Sequence, residues 1–167
     1  LGEGQVAVGP MPKYHPDYNE KLVANSYAPD KAKEMLEEAG FDFGKEYLML
    51  VPKGNQVREQ SALLIQQDLK KIGVNIKIET YDFTTLLEML RNGEEDLALL
   101  GGGSNIDPNE SSVIVKPHDA RNYSLLTDPK WFDLADEGAS KVTKEERKEW
   151  YDKYQEALVA DQPYIWM

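Results

Sequence analysis

The sequence predicts an α/β fold, a mostly parallel sheet flanked by helices, and three observations carry that prediction. Apolar residues switch along the chain between helical and strand periods. Glycines stand where the helical stretches stop. The order from Tyr47 to Leu100 is strand, helix, strand, helix, strand, which is two successive crossover units and implies parallel strands.

The elements follow in order. Leu1 to Tyr27, rich in Gly, Pro and Tyr and almost without periodicity, is expected as an extended lead-in. Pro29 suits a first helical position, and Ala32, Met35, Leu36 and Ala39 fall on one face expected to be buried, with Gly40 as the left-handed cap. Tyr47 to Val51, ended by Pro52, reads as a buried strand. Ala62, Ile65, Leu69 and Ile72 repeat at helical spacing up to Gly73. Val74, Ile76 and Ile78 alternate with Asn75, Lys77 and Glu79, the period of a strand with one face on a core.

Asp82 is expected to cap a helix whose stripe is Phe83, Leu86, Leu87 and Leu90, ending near Gly93, and a strand is expected from Asp96 to Leu100. Asp128 and Pro129 open a helix carrying Trp131, Phe132 and Ala135. Thr143 with Glu146 forms a capping box for a longer helix with a buried face of Trp150, Tyr151, Tyr154, Ala157 and Leu158. Pro163 to Met167, apolar and β-prone, is expected as a strand.

Composition narrows the partners. The chain has 167 residues, 41% hydrophobic and 29% charged, as in a globular domain. Nineteen Lys and Arg against 30 Asp and Glu give a net charge of -11, which repels nucleic acid and anionic lipid. Cysteine is absent, which removes thiol catalysis, thiolate metal sites and disulfides together. No apolar run approaches the roughly 18 residues that span a bilayer.

Chemistry is scarce. His15 and His118 lie far apart, and neither has a histidine three or four positions on, so no metal site is expected. There is no G-x-S-x-G elbow, and the adjacent Glu94 and Glu95 read as solvated turn residues rather than an acid and base pair. Gly101, Gly102 and Gly103 lack the G-K-[ST] ending of a phosphate loop. They follow a predicted strand, where open α/β sheets bind ligands beyond the strands' carboxyl ends, so close approach of a ligand is one reading and a tight connection the other.

The motifs run in a recognisable series. G-P-M-P (9–12) is followed by Y-A-P-D-K-A-K-E-M-L-E-E-A-G-F (27–41), L-K-K-I-G-V-N-I-K-I (69–78) and D-L-A-L-L-G (96–101). D-P (107–108), R-N-Y (121–123), R-K-E-W-Y (147–151) and D-Q-P-Y-I (161–165) complete it. Over nearly its whole length the chain resembles the second lobe of the extracellular solute-binding protein family 5, the peptide- and nickel-binding subunits of ABC importers. The resemblance implies one lobe of a type II periplasmic-binding-protein-like fold. Residues 1–167 would be the C-terminal ligand-binding lobe of a larger two-lobed protein, with residues 1–27 as its extended lead-in.

It further implies a binding protein and not an enzyme, with no cofactor. Such a protein captures oligopeptides between two lobes and delivers them to ABC permease subunits, the missing first lobe being a partner. A nickel complex, an oligosaccharide or another solute is the alternative, and an α/β hydrolase the more distant one. The implied location is extracellular or periplasmic, with a lipid tether outside this chain. Peptide-binding relatives have a G-W-x-x-D-like stretch before the D-P, whose acidic side chain pairs with a peptide amino group. Here Gly102 falls at the tryptophan position and Asn105 near the acidic one. The residues expected to face the ligand are Gly101, Gly102, Gly103, Ser104, Asn105, Arg121, Asn122 and Tyr123. Arg121 is a candidate for a ligand carboxylate, with a surface salt bridge as the other reading.

Overall fold

A computed structural model describes residues 4–102, 107, 113–116 and 119–167, without the side chains of Phe132 and Ala135. The chain divides into two compact units, Ser26–Gly102, and Leu1–Asn25 together with Gly103–Met167.

The Ser26–Gly102 unit is built on β1 (Glu46–Pro52), the central strand of a parallel three-stranded sheet. On one side β2 (Asn75–Tyr81) pairs with it from Glu46↔Asn75 to Pro52↔Tyr81, and on the other β3 (Leu97–Ala98) pairs through Met49↔Leu97 and Leu50↔Ala98. A central parallel strand is covered on both faces, and β1 is correspondingly apolar at successive positions. Met49 and Val51 join Ala62, Ile72, Val74, Ile76 and Leu99 in one core cluster. Leu50 points to the opposite face, where α3 (Phe83–Asn92) packs with Leu86 and Leu90 fully buried.

The glycine signals hold. α1 (Pro29–Glu38), α2 (Gln56–Lys71) and α3 each end on a glycine with positive φ, Gly40 at 71°, Gly73 at 90° and Gly93 at 67°. After α2, Gly73 N donates to Lys70 O and Val74 N to Leu69 O, the paired bonds that turn the chain straight into β2. Asn55 and Asp82 cap the starts of α2 and α3 by accepting from Arg58 N and Thr85 N.

Three expectations in this unit are corrected. α1 forms but buries none of its residues: Ala32 and Ala39 are exposed, Met35 is 58% exposed, and only Leu36 packs on the core. A helical stripe needs an opposing surface, and α2 and α3 make the helix contacts with the sheet. Phe83 is 53% exposed, because it opens α3 one turn ahead of Leu86, the first residue of the stripe to be buried. β3 is shorter than Asp96 to Leu100. The Asp96 carboxylate instead accepts from Leu48 N at 2.8 Å and pairs with Lys45, while Leu99 N still donates to Leu50 O.

The second unit packs around α5 (Lys144–Asp161). Its capping box is present in both directions, with Glu146 N donating to Thr143 Oγ1 at 3.2 Å and Thr143 N to Glu146 Oε2 at 3.2 Å. Trp150, Tyr151, Tyr154 and Leu158 of α5 form a core with Met11, Val115 and Trp131, the last on α4 (Pro129–Ser140). Ala157 is partly buried, and Gln155, which the apolar pattern omits, is fully buried. A Cβ at Gly138 would overlap the Trp150 ring, so a glycine in the last turns of α4 is what lets that ring lie against the helix.

The lead-in carries no helix or strand among its described residues and is fastened to α5 by amides. Asn19 N donates to Gln155 Oε1 at 3.3 Å, Asn19 Nδ2 to Glu156 Oε1 at 3.0 Å, and Gln155 Nε2 to Asp17 O at 2.9 Å. Pro163–Met167 is not a strand, contrary to expectation. Its aromatic side chains are used on the core instead, Tyr164 and Trp166 packing against the α5 cluster with ring centroids 5.8 Å apart.

Candidate solute-binding residues

In the sheet unit, Gly101 and Gly102 are exposed and follow β3 at its carboxyl end. The parallel register brings the carboxyl end of β1 to the same edge, and the chain there turns through Lys53–Asn55 into α2. Arg58, in the first turn of α2, lies against Gly101 so closely that a Cβ at Gly101 would overlap the guanidinium. The half-buried Arg58 therefore owes its position to the absence of a side chain at Gly101.

The electrostatics of Arg58 are unusual for so acidic a chain. Among the described residues no carboxylate and no hydrogen-bond acceptor engages its guanidinium. It also stands at a helix amino terminus, where the peptide dipoles disfavour a cation and favour an anion. An anion at this edge would meet a planar guanidinium and the helix terminus together. The sequence reading omitted Arg58, because nothing in the helical pattern of residues 56–72 sets one polar residue apart. The signal available was the Gly101 to Gly103 run, read together with the first turn of the preceding crossover helix.

Gly103, Ser104 and Asn105 lie outside the described residues, as does His118. Asp107 is described, and its Oδ1 accepts from Arg147 Nη2 of α5 at 2.8 Å.

In the other unit, Arg121, Asn122 and Tyr123 share one turn but differ in character. Arg121 is anchored by Asp119, whose Oδ1 accepts from Arg121 N at 2.9 Å and from Nε at 3.2 Å. Partial burial acts to raise the Asp119 carboxyl, but the Arg121 backbone N–H and guanidinium outweigh it and hold it below the usual carboxylate range. Asn122 turns inward: its Nδ2 donates to Leu126 O at 3.0 Å and its Oδ1 accepts from Leu126 N at 3.1 Å, a brace across the turn. Tyr123 is partly buried.

His15 is buried, and its Nδ1 accepts from Asp17 N at 3.1 Å. Among the described residues no group of three His, Asp or Glu side chains is placed to hold a metal ion, and no helix is long and apolar enough to cross a membrane.

The sequence model of the family described as "Bacterial extracellular solute-binding proteins, family 5 Middle" matches residues 1–123. This chain belongs to that family. A di/tripeptide-binding protein 1 of Pseudomonas aeruginosa is 30% identical over 97% of the chain, and the oligopeptide-binding protein AppA of Bacillus subtilis is 26% identical over 99%. Among solved structures, the periplasmic binding protein DppA of Helicobacter pylori, in complex with the peptide STSA, matches 97% of the chain with a TM-score of 0.84 at 27% identity. The B. subtilis AppA structure, in complex with a nonapeptide, matches 99% with a TM-score of 0.85 at 25% identity. The family 5 chain spans about a third of the length of these relatives, 32% of the P. aeruginosa protein and 33% of the H. pylori structure. The resemblance read from the ordered motifs and the α/β class with a parallel sheet are both borne out.

Proposed function

We propose that this chain is the C-terminal ligand-binding lobe of an ABC importer's solute-binding protein, and that its ligand is a peptide held partly through its carboxylate. The observation that carries the reading is the Arg58 guanidinium, lying on Gly101 at the carboxyl edge of the sheet without an acidic partner among the described residues. Peptide-binding names among the relatives support the same ligand class.

In this reading Arg58 takes the ligand carboxylate, and Gly101 and Gly102 admit the ligand backbone. Gly103, Ser104, Asn105, Arg121 and Tyr123 stay candidate ligand residues on the family resemblance. Asn122 shapes that turn rather than touching solute. The other lobe and the permease subunits belong to the remainder of the protein and the importer, and the protein works outside the cytoplasm, tethered by a lipid. It performs no chemistry on its ligand: capture and release suffice for delivery.

The test is to purify the full-length protein that contains this chain, denature it, and identify what it releases by mass spectrometry, then titrate it with tri-alanine and tri-alanine amide. Peptides in the released fraction and a preference for the free carboxylate are expected. Release of a sugar, a metal chelate or a porphyrin, with no binding of tri-alanine, would overturn the peptide reading and leave the family assignment untouched.

A further inference from the structure

The turn that carries Arg121 and Tyr123 is held from outside itself. Leu125 closes it with φ at 50°, in the left-handed region that a branched, non-glycine residue enters at a cost. Such a conformation persists only where neighbours over-determine it. The Asn122 brace to Leu126 is one constraint, and Asn122 N donating to Asp119 O at 3.0 Å is another.

Another constraint comes from Tyr164, 40 residues along the chain. Its hydroxyl accepts from Ser124 N at 3.3 Å and donates to Ile114 O at 2.8 Å, in the 3-10 turn Val113–Val115. Ser124 Oγ donates in turn to Pro163 O at 3.0 Å. One phenol thus joins the residue after Tyr123 to the buried turn around Val115, and its own ring packs on the α5 core. Burial pushes the Tyr164 hydroxyl up from its ordinary range, so it remains a neutral donor and acceptor at physiological pH. Phenylalanine would fill the same space and make neither bond.

We propose that Tyr164 is a positioning residue for solute binding, its hydroxyl fixing the Arg121–Tyr123 turn in the conformation that presents Arg121 to the ligand. This rests on the reading that the turn faces solute. It gives a polar function to the tyrosine of the D-Q-P-Y-I stretch, which the strand expectation for the tail did not assign.

The experiment compares Tyr164→Phe with Tyr151→Phe in the full-length protein. Tyr151 supplies the control because its hydroxyl is buried in the same core, lies beside the Arg147 guanidinium of α5 and bonds no atom of the Arg121–Tyr123 turn. Two readouts are taken: hydrogen exchange at the Ser124 amide, and affinity for tri-alanine by calorimetry. Tyr164→Phe is expected to speed Ser124 exchange and weaken binding, each by about five- to tenfold, the worth of about one hydrogen bond. Tyr151→Phe is expected to change neither.

Unaltered Ser124 exchange in Tyr164→Phe, or equal effects from the two variants, overturns the proposal. So does faster exchange with unaltered affinity, which would make Tyr164 a structural residue only. If the unaltered protein binds no tri-alanine, the peptide reading fails first. Affinity is then measured with the solute found by mass spectrometry, and the same comparison decides the role of Tyr164.

Discussion

Arg58 and Arg121 differ in what has been placed beside them. Arg121 has Asp119 on its guanidinium and on its backbone N–H, whereas Arg58 has a glycine beneath it and no carboxylate among the described residues. A guanidinium that must leave a partner gains only the difference between two ion pairs. One that is kept unpaired gains the whole of the new one. The lesson is that capacity for an anionic ligand is read from withheld partners, not from arginine content.

The sharpest way to break this comparison is Arg58→Ala in the full-length protein. Affinity for tri-alanine is expected to fall about 10- to 100-fold, as for a lost hydrogen bond to a charged group, with little loss of affinity for the amide. Equal loss for both ligands would remove Arg58 from the carboxylate. Gly101→Ala comes next: its methyl needs the space of the guanidinium, and the end of a flexible side chain moves readily. About a tenfold loss is expected, and adding it to Arg58→Ala should cost nothing further. Full additivity in calorimetry would show that Gly101 acts by another route.

Asp119→Asn keeps an oxygen for the Arg121 backbone N–H and removes the ion pair. With that ion pair removed, affinity for tri-alanine is expected to rise about two- to fivefold. A fall would mean that Asp119 itself serves the ligand.

The smallest effect concerns an acidic counterpart at the amino end of β3. One oxygen of Glu95, Oε2, is buried without a hydrogen bond among the described residues, and burial holds the carboxyl above the usual carboxylate range. An acid whose pKa is raised by folding is destabilising when ionised, so the penalty is present at neutral pH and vanishes as pH falls below the unfolded value of about 4. Glu95→Gln is expected to raise the melting temperature slightly at pH 7 and to lose that advantage near pH 4. An advantage that persists in acid would point to packing instead of charge.

The parts of the fold that local chemistry dictates were legible. Gly73 and Gly93 end their helices as read, the Thr143–Glu146 box starts α5, and the alternation from Val74 to Ile78 is a strand. What periodicity does not carry is whether a surface stands opposite an apolar stripe, and so α1 and Phe83 were read as buried when they are exposed. The site was less legible for a related reason. Arg58 and Gly101 are 43 positions apart and meet only because both lie at one edge of a parallel sheet. Asn122 is expected at the ligand through the R-N-Y stretch, and what the sequence does not carry is that its amide closes on Leu126.

The bond from Asn19 to Gln155 spans 136 positions, and it bears on how the molecule comes into being. The sheet unit is continuous, so every residue it needs has been synthesised once Gly102 emerges. The α5 unit is discontinuous, and Met11 in its first segment shares a core with Trp150, Tyr151, Tyr154 and Leu158, well over a hundred positions further on. Loop closure over so long a separation is slow beside the closing of local helices. The sheet unit is therefore expected to fold before the α5 unit.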